Sequence, residues 1–183
     1  METIYTKRLL IEPVKAAHGP EFLNLYVANR SYLQPWEPKR EDDFYTLDMH
    51  TKLCSTAEEA LNKGTAYTFA VRLYPTHELI GRVSLSNVVR GVFQNAYLGY
   101  FMAEKYKGLG YMTEAVDTVV NMAFKQLLLH RVQAAVVTTN AGSVRVLEKC
   151  GFRREGMAER YLKINGAWRN HYLYALTSEE KQV

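Results

Sequence analysis

The 183-residue chain has little cysteine: Cys54 and Cys150 are the only two, far apart in sequence. That is no disulfide framework, and it suits a reducing compartment, so the cytoplasm is the expected location. No Cys/His group has the spacing of zinc ligands, and no metal is expected. No stretch approaches the ~18–20 apolar residues that span a bilayer, so no membrane partner is expected. Met1-Glu2-Thr3-Ile4-Tyr5-Thr6-Lys7-Arg8 lacks the apolar segment of a secretory leader. Repeats and low-complexity tracts are absent. Charge of one sign is in small excess: 23 Lys and Arg against 19 Asp and Glu give a net +4. The basic residues are scattered, which argues against direct nucleic-acid binding. Two phosphate-binding signatures are also missing. There is no Gly-x-x-x-x-Gly-Lys-Ser/Thr loop and no Gly-x-Gly-x-x-Gly fingerprint.

What is present is ordinary for a folded protein, with 48% apolar and 23% charged residues. The length predicts one domain over residues 1–183. Arg8–Ile11 reads as a first strand stopped near Pro13, and residues 15–29 as a helix with Phe22, Leu25 and Tyr26 at helical spacing. Two prolines bracket Trp36 in Tyr32-Leu33-Gln34-Pro35-Trp36-Glu37-Pro38, which predicts a loop carrying a large aromatic. A second helix is expected over 48–63, with Leu53, Ala57, Ala60 and Leu61 inward and Gly64 ending it. Residues 67–73, 78–86 and 95–102 then read as an antiparallel meander, rich in aromatic and β-branched residues.

The strongest periodic signal follows. Met112, Ala115, Val116, Val119, Val120, Ala123, Phe124 and Leu127 form a continuous apolar stripe, with Glu114, Asp117, Asn121 and Lys125 opposite. A strand over 131–137, a short helix over 143–149 and two strands near 152–163 and 168–176 complete the chain. Asn165-Gly166 is the hairpin turn between the last two. The expected order is β-α-α-β-β-β-α-β-α-β-β. It predicts an α/β (α+β) domain around a mixed, mostly antiparallel sheet flanked by helices.

The segment with chemical promise is Lys107-Gly108-Leu109-Gly110-Tyr111-Met112-Thr113, where a strand ends and the long helix begins. A helix N-terminus carries unpaired N–H groups and roughly +0.5 of a charge, and glycine lets those amides approach a diphosphate closely. A plain strand-to-helix turn would also explain the two glycines.

This stretch resembles the acyl-CoA loop of the GNAT N-acetyltransferases, Q/R-x-x-G-x-G/A. Asn140-Ala141-Gly142-Ser143 and Glu148-Lys149-Cys150-Gly151-Phe152 resemble the family's downstream segments. Thr6–Ile11, Leu33-Gln34-Pro35-Trp36 and Asn165–His171 resemble the ribosomal-protein N-terminal (Rim-type) branch. The likeness runs through nearly the whole chain in order, and it implies a GNAT-like domain using acetyl-CoA as co-substrate. By position, it implies that Gly108, Gly110, Tyr111, Met112 and Thr113 offer backbone N–H groups to the pyrophosphate. Lys107 stands at the family's Gln/Arg position and keeps the charge. Phe101 and Met102 would pair their backbone with the pantetheine arm, Asn140 would hydrogen-bond that arm, and Ser143 would protonate the departing thiolate. The implied reaction is direct attack of a primary amine on the thioester. The favoured acceptor is the α-amine of a protein N-terminus, with a small amine, or acyl-CoA binding without turnover, as alternatives.

Trp36, Tyr97 and His171 are expected on the acceptor side. Tyr97 stands where the family often has a glutamate that serves as base, and a phenol with a pKa near ~10 is a poor base at pH 7. Asn170 likewise replaces a common acidic residue. Several of these residues have plainer readings. Ser143 could simply sit in a helix first turn capped by Asn140, Trp36 could anchor its own loop, and His171 could be a strand residue with a neighbouring partner. Cys150 reads as core. A homodimer is left open.

Overall fold

The computed structural model describes residues 1–181. Eight strands and five α-helices follow in the order β1 (Ile4–Tyr5), β2 (Leu9–Pro13), α1 (Gly19–Ala28), α2 (Arg30–Leu33), α3 (Leu47–Lys63), β3 (Tyr67–Leu73), β4 (Leu79–Val89), β5 (Asn95–Met102), α4 (Tyr111–Lys125), β6 (Arg131–Val137), α5 (Ala141–Lys149), β7 (Arg153–Ile164) and β8 (Ala167–Thr177). The expected order holds with two additions. The two-residue β1 pairs with β2, and a single helical turn, α2, precedes the tryptophan loop. That loop is also more regular than expected, because Gln34–Trp36 forms a 3-10 turn with Pro35 near its start, where a missing N–H costs nothing. The predicted 15–29 helix is likewise broken, with a 3-10 turn at Ala16–His18 before α1 begins.

All strands join one sheet in the order β1-β2-β3-β4-β5-β6-β8-β7. Every pairing is antiparallel except β5 with β6, which is parallel and bridged by α4. Two cores lie on the sheet's opposite faces, because alternate strand residues point opposite ways. Phe69, Val71, Val83 and Leu98 pack with the α4 stripe of Ala115, Val116, Val119 and Val120. Ala70, Leu79 and Phe101 pack with Phe22, Leu25 and Tyr26 of α1 and Cys54 of α3.

On α3, Ala57 and Leu61 pack against the cores as predicted, but Leu53 does not. His50 and Cys54 are buried, while Leu53 is 44% exposed. The register is set by α1, which lies so close to α3 that a Cβ on Gly19 would stand 2.7 Å from Thr51 Oγ1. Elsewhere local signals agree with the structure. Thr46 caps α3 by accepting from the Met49 N–H, Gly64 ends it at φ +68°, and both residues of the Asn165-Gly166 turn have positive φ. Among the described residues, no helix is long and apolar enough to cross a membrane, and no His/Cys/Asp/Glu group could hold a metal ion.

Candidate active site

The site begins as a defect in the sheet. β5 and β6 are in register only from Asn95–Tyr97 to Arg131–Gln133. Beyond that, β5 continues beside β4 and β6 beside β8, and the two part. Leu98–Met102 and Ala134–Val137 become facing walls of a cavity of about 770 Å³. The inner edge of β5 is thereby left without a strand partner, and its backbone donors and acceptors are open to a ligand.

At one end of this wedge lies the glycine loop. Gly108 and Gly110 have φ of +80° and +81°, a region that side chains with a Cβ avoid. Gly110 is the N-cap of α4 and supplies no side-chain cap, so the first-turn N–H groups face the cavity lined by Gly110, Tyr111, Met112 and Thr113. A carboxylate in that turn, Glu114, would repel an anion. Arg8 cancels it. Its Nε donates to Glu114 Oε2 at 2.7 Å, its Nη1 donates to the Leu109 carbonyl at 3.0 Å, and its guanidinium stacks 4.5 Å from the Tyr111 ring centroid. Burial disfavours the ionised Glu114, but hydrogen bonds from Thr6 and Arg8 outweigh that and hold its carboxyl below the usual range. Arg8 is a residue whose part was not visible in the sequence, because its partners are about a hundred residues away.

The α5 N-terminus forms another wall. Asn140 is its N-cap, and Oδ1 accepts from the Ser143 N–H at 3.1 Å. The plainer reading of this pair is therefore correct as geometry, yet both residues also line the cavity. Ser143 Oγ stands 2.8 Å from the Tyr100 hydroxyl, which is also 3.1 Å from the Ser143 carbonyl. Burial pushes the Tyr100 phenol well above its usual value, so it stays protonated. Tyr100 was missed from sequence, and only the sheet brings it to α5. Burial also raises Cys54 to about 11 and Cys150 to about 12, which leaves both as unreactive core thiols.

The far end is walled by Trp36, Glu37, Leu162, Ile164 and His171. The hairpin turn is tied to the tryptophan loop, with the Asn165 N–H donating to the Glu37 carbonyl at 2.8 Å. His171 is buried, with Nδ1 2.9 Å from the Arg169 carbonyl and its ring edge-on to Tyr161 at 5.7 Å.

A family model described as "Acetyltransferase (GNAT) domain" matches residues 8–153. The chain belongs to the GNAT acetyltransferases. It is 39% identical over 176 residues to "Probable N-acetyltransferase YjcK" of Bacillus subtilis, covering 96% of this chain and 97% of that one. The structure of a ribosomal-protein-S5-alanine acetyltransferase from Vibrio fischeri superposes with a TM-score of 0.92 at 33% identity, over 97% of each chain. Mycobacterium smegmatis RimJ in complex with CoA-disulfide superposes with a TM-score of 0.89 at 31% identity, covering 94% of this chain and 83% of that one. The protein is accordingly an acetyl-CoA-dependent acetyltransferase with a single GNAT-like α/β domain.

This acetyltransferase gathers almost all the residues singled out from its sequence onto one cavity: Trp36, Phe101, Met102, Lys107, Gly108, Gly110, Tyr111, Met112, Thr113, Asn140, Ser143 and His171. Tyr97 is not among them. It lies where β5 is still paired on both sides, opposite Ser86 and Gln133, and is not part of the cavity wall. Asn170 is also off the wall, accepting from the Arg160 N–H at 2.9 Å. The co-substrate fits what is present: an uncapped helix N-terminus for phosphate oxygens, an unpaired strand edge for the amide-bearing arm, and hydroxyl donors between them.

Proposed function

We propose that the protein acetylates the α-amine of a protein N-terminus, of the ribosomal-protein type. The observation that carries this is the wall of the acceptor end. It is built from Trp36, Leu162, Ile164 and His171 with one carboxylate, Glu37, while the rest of the cavity carries Lys107, Arg145 and Lys149. One anion among cations and apolar surface suits a single ammonium on a peptide. A polyamine would call for several carboxylates. The Vibrio fischeri protein named for ribosomal-protein S5 alanine supports the same acceptor class.

In this reading the first-turn N–H groups of α4 hold the pyrophosphate, with Lys107 at the mouth, its ammonium 5.7 Å from the Tyr32 ring centroid. The free edge at Phe101 and Met102 aligns the arm and polarises the thioester carbonyl. Asn140 keeps α5 in place through Oδ1 and turns its amide to the arm. The amine attacks directly, and Ser143, backed by Tyr100, gives its proton to the leaving sulfur. An α-amine with a pKa near ~7.7–8.0 is partly neutral at working pH, and placing it against the thioester supplies much of the acceleration.

The test offers acetyl-CoA with three acceptor sets, read by intact mass. These are peptides with free N-terminal Ala, Ser or Met, the same peptides N-blocked but containing Lys, and spermidine. Acetylation confined to free N-termini is expected. Preference for spermidine or blocked Lys peptides would overturn the reading.

A further inference from the structure

Glu37 is the one acidic side chain on the cavity wall, and its own side chain is 17% exposed. Its backbone is fixed from two directions. Pro35 and Pro38 bracket the Trp36-Glu37 pair, and the Asn165 N–H from the β7–β8 hairpin holds the Glu37 carbonyl at 2.8 Å. Its nearest cation is loosely placed, with Arg40 Nε 4.0 Å from Oε2. Below it, Arg82 of β4 lies against the Phe101 ring at 5.2 Å, and its buried Nε has no hydrogen-bond partner among the described residues. The titratable groups facing Glu37 are thus Tyr26 of α1, Arg82 of β4 and Arg40 of its own loop, with His171 of β8 on the same cavity wall. Neither arginine forms a close bidentate pair with Glu37, so the carboxylate keeps acceptor capacity. Tyr97, at the position where the family often has a glutamate base, is not on the cavity wall.

We propose that Glu37 receives the acceptor amine, pairing with its ammonium and taking the proton that the nitrogen must lose before attack. This rests on the amine-acetylation reading above. The ammonium gives one proton to Glu37, and the freed lone pair forms the N–C bond at the thioester carbon. The C–S bond then breaks with its electrons on sulfur. The nitrogen's second proton replaces the one that Ser143 hands to the thiolate, and Glu37 returns its own proton to solvent. Burial shifts Glu37 upward from the usual carboxylate range, while Arg82, Arg40 and the Tyr26 hydroxyl pull the other way without cancelling it. A carboxylate so raised is a stronger base than an exposed one.

Glu37→Gln tests this with the three acceptor sets above, run beside wild type across pH 5–9. The acetyl-CoA-induced rise in melting temperature serves as the check on folding and co-substrate binding. Expected is a loss in kcat/KM of about 10²-fold or more with the melting response unchanged. The acidic limb of the wild-type pH profile should also disappear, leaving only the limb of the amine, and Glu37→Asp should recover part of the rate. Activity within threefold of wild type with the same profile would overturn the proposal. If wild type prefers spermidine or Lys side chains, the N-terminal reading falls, while a loss in Glu37→Gln on those acceptors still supports Glu37. Transfer to none of the three would sink both.

Discussion

Ser143 and Tyr100 share one hydroxyl contact at 2.8 Å, and their joint action can be measured. Ser143→Ala removes Oγ but keeps the backbone N–H that Asn140 caps, so α5 and the bound co-substrate should be little disturbed. The Tyr100 hydroxyl keeps the Ser143 carbonyl at 3.1 Å as partner, which limits the stability loss to about 1 kcal/mol. Turnover is another matter. Losing a positioned proton donor costs about 10²-fold, or roughly 2.7 kcal/mol of barrier. Tyr100→Phe should cost a similar factor, because Ser143 then lacks the hydroxyl that orients it. If the two act as one relay, the double variant should fall by about 10²-fold as well, since removing both ends of a chain costs little more than removing one. Independent donors would give about 10⁴-fold. The assay is single-turnover thiol release with saturating acetyl-CoA, with melting curves as the control on binding. Wild-type turnover in Ser143→Ala, or multiplicative losses in the double variant, would refute the reasoning.

Two further outcomes concern the loop and the aromatic core. Gly110→Glu places a carboxylate and a Cβ at φ +81° where the phosphates are expected; acetyl-CoA at about 100 times its Kd should stabilise wild type by roughly 2.7 kcal/mol and the variant not at all. An equal rise in melting temperature for both would put the anion site elsewhere. His50 is buried between the Tyr26 and Phe44 rings, with Nε2 unpartnered among the described residues. Burial first, then the Arg40 and Arg82 charges, hold its pKa below the ordinary 6.5, so the unfolded chain takes up a proton that the folded one refuses. The stability contributed is full above pH 6.5 and is lost as pH falls through the folded value, at up to about 1.4 kcal/mol per pH unit. His50→Leu should flatten that fall in urea titrations between pH 7 and 5, and an unchanged slope would assign it to other groups.

Local patterns in the sequence carried much of the fold. The α4 stripe, the Asn165-Gly166 turn and the glycine loop depend on residues close in sequence, and each stands where its pattern predicts. What escaped depends on distant partners. Leu53 fits a helical face, but α1 docks on the face of His50 and Cys54. β1 is two residues long and exists only through β2. Tyr97 sits in the right strand, yet the wedge opens one residue later, a point that β6 decides. Tyr100, Arg8 and Glu37 each acquire meaning from an element far along the chain. Glu37 was in plain view beside Trp36, and only the meeting of its loop with the β7–β8 hairpin turns it toward chemistry.

The short parallel pairing of β5 and β6 has a wider consequence. Three residue pairs are the strand contact joining the β1–β5 half of the sheet to the β6–β8 half. A sheet that zipped further would bury more hydrogen bonds and be more stable, but it would have no wedge. The fold therefore forgoes stability at the site of turnover, and substitutions that close the seam should be favoured in a selection for heat resistance and lost in a selection for activity. In the binding mode proposed above the co-substrate would resolve this conflict transiently: lying along the β5 edge it would serve as the absent strand, and its departure as product would return the protein to its incomplete form.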